Sequence, residues 1–320
     1  MNVRNRISIL LIFILCFLQM QKVFAGREIN FVSLSDSSGF FQPSTSPDKS
    51  RTRLLNYTTL GMYPLSMTWL YAQWYKDYPR SKFHFFNDNS EWEQMDKFGH
   101  AWDAYSIAKP LSRCYQWAGY SNKNSALYSS GIAFLYQATI EVFDGFSSEW
   151  GFSPGDLVCN TLGISVFLAQ QLTWEEQRIT LKYSFHQTKY SSYRPDVLGS
   201  NLPENILKDY NGLTYWISVN PRSFMNTTSS FPRWLRLGIG YGAEGMTGGE
   251  ENPTSVDGKA IPSFDRYRQY YLGIDFELNR IRWKSRFLKS LFSVINIVHL
   301  PAPAIELRPG KKTLFHTLYF

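Results

Sequence analysis

The chain has 320 residues, which is enough for two structural units. Aromatic residues make up 17% of it and charged residues only 18%, a balance more typical of a membrane-associated or wall-contacting protein than of a cytosolic domain. Its 33 basic residues exceed its 26 acidic ones, but three of the basic ones lie in the first 25 positions, and no basic run is interleaved with aromatics. The composition therefore predicts no nucleic-acid partner.

Residues 1–25 have the three parts of a secretory signal peptide. Two arginines form a positive end, residues 7–20 are apolar, and small residues precede a predicted cleavage site ahead of Gly26. An uncleaved anchor is the alternative, but the apolar run is short, since a helical span needs about 20 residues. Cys16 follows Leu15 instead of a small residue, which makes it a poor site for lipid attachment. We expect export to the periplasm or outer membrane.

Residues 26–53 and 54–75 differ sharply in composition. The first segment is polar, rich in serine and proline and without periodicity, and we expect an extended arm that does not pack. The second carries no charged residue, but its asparagine, threonine and glutamine side chains are too numerous for a membrane span, and Pro64 would kink a helix. A buried or interfacial helix is predicted there.

Three more helices complete a predicted helical domain over residues 54–174. They are expected over residues 90–108, 125–143 and 153–172. Ser90 and Glu93 have the spacing of a capping box at the start of the first. Ser153 followed by Pro154 is a strong signal for the start of the last.

These three helices carry their few polar residues three or four positions apart, so that each polar pair shares one helix face. The cluster predicted from them consists of Asp96, Lys97, His100, Glu141, Asp144, Asp156 and Asn160. A carboxylate or imidazole removed from water needs a partner, and carboxylates are disfavoured at the carboxyl end of a helix, where Glu141 and Asp144 lie. We therefore expect these side chains to meet between the helices.

Two interpretations of this cluster stay open. His100 with Asp96, Glu141 and Asp144 suits a divalent metal, and helical bundles build such sites from inward-facing pairs, although neither an HExxH motif nor paired cysteines support it. Alternatively, Lys97 neutralises a carboxylate, Asp156 caps a helix, His100 is a packing residue, and the cluster has no chemistry.

The same positions carry a resemblance to a known family. They are Asp96-Lys97-Phe98-Gly99-His100, Glu141, Asp144, Ser153-Pro154-Gly155-Asp156, Asn160 and Gly163. This pattern resembles the YfiM-like family of uncharacterised predicted periplasmic lipoproteins and is more distantly similar to the small helical VanZ-like membrane family. The resemblance covers roughly residues 54–172 and implies that the polar positions form one unit, without an established reaction. The chain departs from the lipoprotein pattern because it lacks an acceptable lipidation cysteine.

After residue 174 the apolar pattern changes to a period of two, which predicts strands. Apolar residues alternate with polar or small ones over residues 178–185, 213–219, 235–242 and 270–279, and two further strands are expected over residues 304–308 and 312–320. We expect the apolar residues to share one face of the sheet. Replacing Ile274 by Asp should then damage the fold or membrane insertion, whereas Asp275→Asn should be mild.

The predicted fold is therefore α+β. A bundle of about four apolar helices precedes an antiparallel β-sheet or partial barrel over residues 175–320, with one amphipathic helix over residues 285–298. In an exported chain such alternation is similar to that of outer-membrane barrel proteins; the alternative is a sheet covered by the helices.

Two function classes follow. The favoured one is a non-catalytic, membrane-associated scaffold or assembly component of the cell envelope with a buried polar cluster, and its expected partners are membrane or envelope components. The alternative is a hydrolase of a lipid or wall substrate, in which a divalent metal activates water. A nucleophilic mechanism is disfavoured because no GxSxG motif or cysteine–histidine signature is present. The pairing of Cys114 and Cys159 stays open.

Overall fold

The computed structural model describes residues 42–76, 78–226, 228–281, 292 and 295–320. They form two compact units, Gln42–Gln177 and a second unit that includes Arg178–Phe320. The predicted signal peptide (1–25), most of the predicted arm (26–53) and most of the predicted amphipathic helix (285–298) lie outside the described residues. The predicted α+β class is confirmed, since helices make up the first unit and an antiparallel sheet dominates the second.

Four helices build the first unit. They are α1, Lys49–Leu70; α2, Met95–Trp117; α3, Asn122–Gly145; and α4, Pro154–Thr173. A π-helical turn, Tyr71–Tyr75, continues α1. Within the described part of the chain, none of the helices combines the length and the hydropathy that are needed to cross a bilayer.

Helix α1 begins inside the predicted arm. The carboxylate of Asp48 accepts hydrogen bonds from the backbone amides of Ser50 (2.8 Å) and Arg51 (2.9 Å), which caps the helix. The guanidinium of Arg51 also donates to the carbonyl of Trp117 at 3.0 Å. The prediction of an unpacked arm is therefore wrong for residues 42–53.

Helix α2 begins at Met95, later than the predicted start at Ser90. Trp92, Glu93 and Gln94 have left-handed backbone angles, with φ of 50°, 51° and 63°. A right-handed helix cannot continue through such residues, so a short 3₁₀ turn stands where the capping box was expected. The helix then runs past its predicted end at residue 108.

Small residues let α2 and α4 approach closely. A Cβ atom on Gly163 of α4 would lie 2.0 Å from the carbonyl oxygen of Ala101, so no larger residue fits there. Ala104 and Ala108 of α2 are fully buried. This close approach of α2 and α4 is what allows polar side chains from different helices to meet.

The pairing of the two cysteines, which the sequence left open, is not formed in the structure. Cys114 and Cys159 are both free thiols.

Six strands form one antiparallel sheet within the described residues. They are β1, Ile179–Phe185; β2, Leu213–Val219; β3, Leu235–Glu244; β6, Tyr267–Phe276; β7, Ala302–Leu307; and β8, Leu314–Tyr319, in the order β1-β2-β3-β6-β7-β8. Two short helices, α5 (Pro195–Leu198) and α6 (Leu202–Lys208), connect β1 to β2. Strands β4 (Ser255–Val256) and β5 (Lys259–Ala260) form a separate ribbon.

The polar face of the six-stranded sheet is the buried one. Lys182 of β1 and Asp275 of β6 form an ion pair of 2.7 Å, and both side chains are fully buried. Arg236 of β3 pairs with Glu277, and the Arg236 side chain is also fully buried. Removing charges from water is costly unless each has a partner, so these pairs constrain how the strands are placed.

The predicted apolar residues do share one face, but that face is exposed. Ile239 of β3 is 56% exposed and Leu272 of β6 is 50% exposed. Ile274 is half-buried, whereas its neighbour Asp275 is fully buried. The expectation that Asp275→Asn is mild is therefore wrong, because a period of two fixes which residues share a face but not which face is covered.

We predict that Asp275→Asn lowers the free energy of unfolding by about 3 kcal/mol or more, because it leaves the ammonium of Lys182 buried without its charge partner. Denaturation by urea measures this. The same substitution at exposed Asp257, in the turn between β4 and β5, is the matched control and should stay within about 0.5 kcal/mol of the wild type. Equal tolerance of the two changes would show that the polar face is not buried.

Candidate functional site

A cluster of charged side chains surrounds Lys97 at the amino-terminal ends of α2 and α4. The ammonium nitrogen lies 2.6 Å from Asp88 Oδ1, 3.1 Å from Asp96 Oδ2 and 2.6 Å from Asp156 Oδ1. Lys97 is 8% exposed and Asp156 is 4% exposed. Burial alone would lower the pKa of Lys97, but the charges of Asp96 and Asp156 outweigh it and raise the pKa above its usual value. Lys97 therefore stays charged.

His100 lies one helical turn beyond Asp96. Its Nε2 is 3.7 Å from Asp96 Oδ1 and 3.6 Å from Asp156 Oδ1, and its Nδ1 is 3.5 Å from Glu141 Oε1 and 3.3 Å from Asn160 Oδ1. Burial would lower the pKa of His100, but the three carboxylates raise it to about 9. His100 is the second cation of the cluster at neutral pH.

Glu141, in the last turns of α3, is fully buried. Asn160 Nδ2 donates to its Oε1 at 3.4 Å. Its Oε2 accepts no hydrogen bond from any residue that the structure describes. Burial raises the pKa of Glu141 to about 6, and the charge of His100 and the backbone amide of Ser153 oppose this only in part. The carboxylate is thus incompletely satisfied.

Asp144 is placed beside the cluster and not within it. Its Oδ1 accepts a hydrogen bond of 2.7 Å from the hydroxyl of Tyr75, which comes from the π-helical turn after α1. Burial raises the pKa of Asp144 to about 7, and the Tyr75 hydroxyl opposes this only in part. Asp144 therefore links α3 to the end of α1.

Ser153 joins the start of α4 to the segment before α2. Its hydroxyl oxygen accepts from the backbone amide of Asp156 at 3.1 Å, which caps α4 as predicted, and its hydroxyl donates to Asp88 Oδ1 at 2.6 Å. The carboxylate of Asp156 is thereby left for Lys97 and His100. Its predicted alternative role as a capping group is wrong, because Ser153 has that role.

Among the predicted residues, Asp96, Lys97, His100, Glu141, Asp156 and Asn160 come together, while Asp144 contacts Tyr75. Sequence reasoning missed Asp88 and Tyr75. Asp88 lies in a polar run that looks like an ordinary helix start, and its contact depends on the left-handed turn that follows it. No local pattern indicates the contact of Tyr75 with α3. Asp103, whose Oδ2 accepts from Gln137 Nε2 at 2.8 Å, was also missed, although it follows His100 at helical spacing.

The geometry favours a different metal-ligand set from the predicted one. Asp96, His100 and Asp156 each offer one ligand atom, and these atoms lie within 4.8 Å of one another. Asp156 thus takes the place of both Glu141 and Asp144 of the predicted set. However, the ammonium of Lys97 contacts Asp156 Oδ1, the same oxygen that faces His100. A metal ion would have to compete with Lys97 for this oxygen.

A family described as "Predicted periplasmic lipoprotein (DUF2279)" matches residues 84–170, which is about a quarter of the chain. The matched range contains the ion-pair and hydrogen-bond partners of Lys97 and His100 that are named above. No curated protein and no solved structure matches the chain. The match supports the coarser part of the resemblance, similarity to an uncharacterised periplasmic lipoprotein family, and supports export to the periplasm.

We predict that the contribution of Asp144, Glu141 and His100 to the free energy of unfolding falls as the pH rises from about 4 to 9. The pKa values of Asp144, Glu141 and His100 are raised from 3.8 to about 7, from 4.5 to about 6 and from 6.5 to about 9, so the folded state holds these protons more tightly than the unfolded state. The stabilisation is fully present at a pH below the pKa of each group in the unfolded state. It is lost as the pH rises through the pKa of that group in the folded state. Chemical denaturation at successive pH values measures it.

His100→Gln separates the contribution of the imidazole. Between pH 6.5 and about 9 the wild type should lose on the order of 2–3 kcal/mol that the variant does not lose. Parallel pH profiles for the two proteins across that window would mean that His100 is not held as a cation.

Proposed function

We propose that the chain is an exported, membrane-associated envelope protein that acts as a scaffold or assembly component, and that the polar cluster holds its helical unit together. The contacts of Lys97 support this function best. Its ammonium joins Asp88, from the segment before α2, to Asp96 of α2 and Asp156 of α4. It thus already occupies the cationic position among these carboxylates.

The location is a further part of the proposal. The match to a periplasmic lipoprotein family and the signal-like residues 1–25 support export, and we propose that the outer membrane is the final site. We also propose the narrower relationships to the YfiM-like and VanZ-like families, which the motif from Asp96 to His100 supports. Amino-terminal sequencing of envelope material should give a chain that begins at or near Gly26. An intact Met1 in a cytosolic fraction would contradict export.

A metal-dependent hydrolase of a lipid or wall substrate is the second candidate. The residues in contact with Lys97 or His100 include four carboxylates, those of Asp88, Asp96, Glu141 and Asp156. If all are ionised, the two cations leave an excess of two negative charges, which one divalent ion would balance. Glu141 Oε2, which makes no hydrogen bond within the described residues, would be available to such an ion or to its bound water.

Metal content and stability together separate the two candidates. For the scaffold, we predict that the wild type dialysed against Mn²⁺ or Zn²⁺ keeps no stoichiometric metal, and that Lys97→Met lowers the free energy of unfolding by about 3 kcal/mol because it leaves buried carboxylates without a cation. The control is Lys123→Met, which changes an exposed lysine of α3 in the same way.

Elemental analysis of the dialysed proteins gives the metal content. One bound ion per wild-type chain, lost in Asp156→Asn and required for hydrolysis of a lipid or peptidoglycan substrate, would overturn the scaffold in favour of the hydrolase. Metal that binds only to the Lys97→Met variant would support the scaffold, because it would show that the ammonium excludes the ion.

A further inference from the structure

The exposed face of the six-stranded sheet is organised in rows that run across the strands. The central row consists of Leu181, Ile217, Ile239, Leu272, Ile305 and Phe315, one residue from each strand and each paired with the next. The row on one side consists of Ile179, Val219, Leu237 and Ile274. The row on the other side consists of Tyr183, Tyr215, Tyr241 and Tyr270, of which Tyr270 is exposed and Tyr215 is buried. Aliphatic residues thus form the middle of the face and tyrosines form one border.

This face is exposed while the opposite face buries ion pairs. In the central row Ile239 is 56% and Phe315 is 70% exposed, whereas Lys182 and Asp275 on the other face are fully buried. A one-sided sheet surrounded by water has the reverse polarity, with its apolar face covered. The apolar face therefore requires an apolar surrounding.

Charged residues lie only at the two ends of this face along the described strands. Arg268 lies on β6 beyond the tyrosine row and on the same face as Tyr270. At the other end Arg233 precedes Trp234, whose ring stacks on Phe276 with centroids 6.0 Å apart. An aliphatic band between aromatic borders, with basic residues beyond them, complements a bilayer, since aromatic rings suit its interface and cations suit anionic head groups.

We propose that this face contacts the hydrocarbon of a lipid bilayer. The inference rests on the proposed membrane association and names the surface responsible for it. A strand rises about 3.3 Å per residue, so the six steps from Leu235 to Tyr241 cover about 20 Å along the strand, which fits within the apolar band of about 25 Å on membrane strands. The tyrosine row and the Trp234–Phe276 pair mark the two borders of the contact.

Two other occupants could cover an apolar face: a second copy of this chain, or the amphipathic segment predicted over residues 285–298. Neither accounts for the ordering of the rows. A protein interface has a polar rim around its whole edge, whereas here aromatic and basic residues follow one another at both strand ends, as the layers of a bilayer interface do. The experiment below treats both occupants as contrary outcomes.

Depth-dependent quenching tests the contact. The full chain, with its three cysteines replaced by serine, is labelled with an environment-sensitive fluorophore at Ile239→Cys, Tyr241→Cys or Lys259→Cys and reconstituted into phosphatidylethanolamine–phosphatidylglycerol vesicles. Nitroxides on the acyl chains should quench the label at position 239 most, that at 241 less, and that at 259, on the exposed β4–β5 ribbon, not at all. Quenching of the label at position 239 by aqueous iodide and not by the nitroxides would overturn the proposal.

A charge substitution provides the second readout. Ile239→Arg should lower partition into the same vesicles by about 30-fold, because an arginine on the lipid face of a membrane strand is costly. Leu202→Arg is the matched control, since Leu202 of α6 is 52% exposed but lies off the sheet, and it should partition like the wild type. Equal partition of the two variants would overturn the proposal.

The remaining outcomes separate this inference from the proposed function. A position-239 label shielded from iodide but not quenched by the nitroxides would assign the face to a second copy if the particle has the mass of a dimer, and to residues 285–298 if it is monomeric. Either outcome overturns the lipid contact. Vesicle binding of the wild type would then leave the proposed membrane association standing, whereas absence of binding would overturn both.

Discussion

Buried charge that must be paired is the constraint on which both units depend. In the helical unit Lys97 satisfies carboxylates from α2, from α4 and from the segment before α2. In the sheet Lys182 and Asp275 join β1 to β6, although two other strands lie between them. An unpaired charge in such a place costs several kcal/mol, so each pair restricts the elements to one arrangement. Apolar side chains, by contrast, tolerate volume-conserving replacements at a smaller cost.

Both units bury charged or polar side chains and expose large apolar ones. Leu135 of α3 and Leu162 of α4 are 65% and 56% exposed, while Gln137, Glu141 and Asn160 on the same two helices are buried. The sheet has the same distribution, with charges inside and aliphatic rows outside. Because hydrophobic burial drives most folding in water, a chain with this polarity gains more from an apolar surrounding than from water alone. The polar cluster of the helical unit and the exposed apolar face of the sheet are therefore two results of the same distribution of side chains.

The cluster holds more negative than positive charge, and three species compete to balance it. The ammonium of Lys97 lies between Asp96 and Asp156, protons are favoured by the raised pKa values of Glu141 and Asp156, and a divalent cation would need oxygens that Lys97 already contacts. Because Lys97 is covalently part of α2, it contacts Asp156 without the entropic cost of capturing a free ion. This advantage favours Lys97 over a free metal ion as the cationic partner of Asp156.

Periodicity predicted the helices and strands well, but it did not predict which of their faces are buried. Spacing of three and four placed Asp96 beside His100 and Asp156 beside Asn160, and a period of two placed Ile239 and Leu237 on one face. Neither period states which face is covered, since that depends on tertiary contacts, and so the burial of Asp275 was missed. The contact of Asp88 with Lys97 was missed because it requires left-handed angles at non-glycine residues, which sequence patterns do not predict.

A double-mutant cycle between Lys97 and Asp156 measures the central interaction most directly. The free energies of unfolding of the wild type, Lys97→Met, Asp156→Asn and the double variant give the coupling between the two side chains. A coupling of about 1.5 kcal/mol or more is expected, because their contact of 2.6 Å is buried. Additive effects within about 0.5 kcal/mol would contradict the conclusion that this ion pair holds α2 and α4 together.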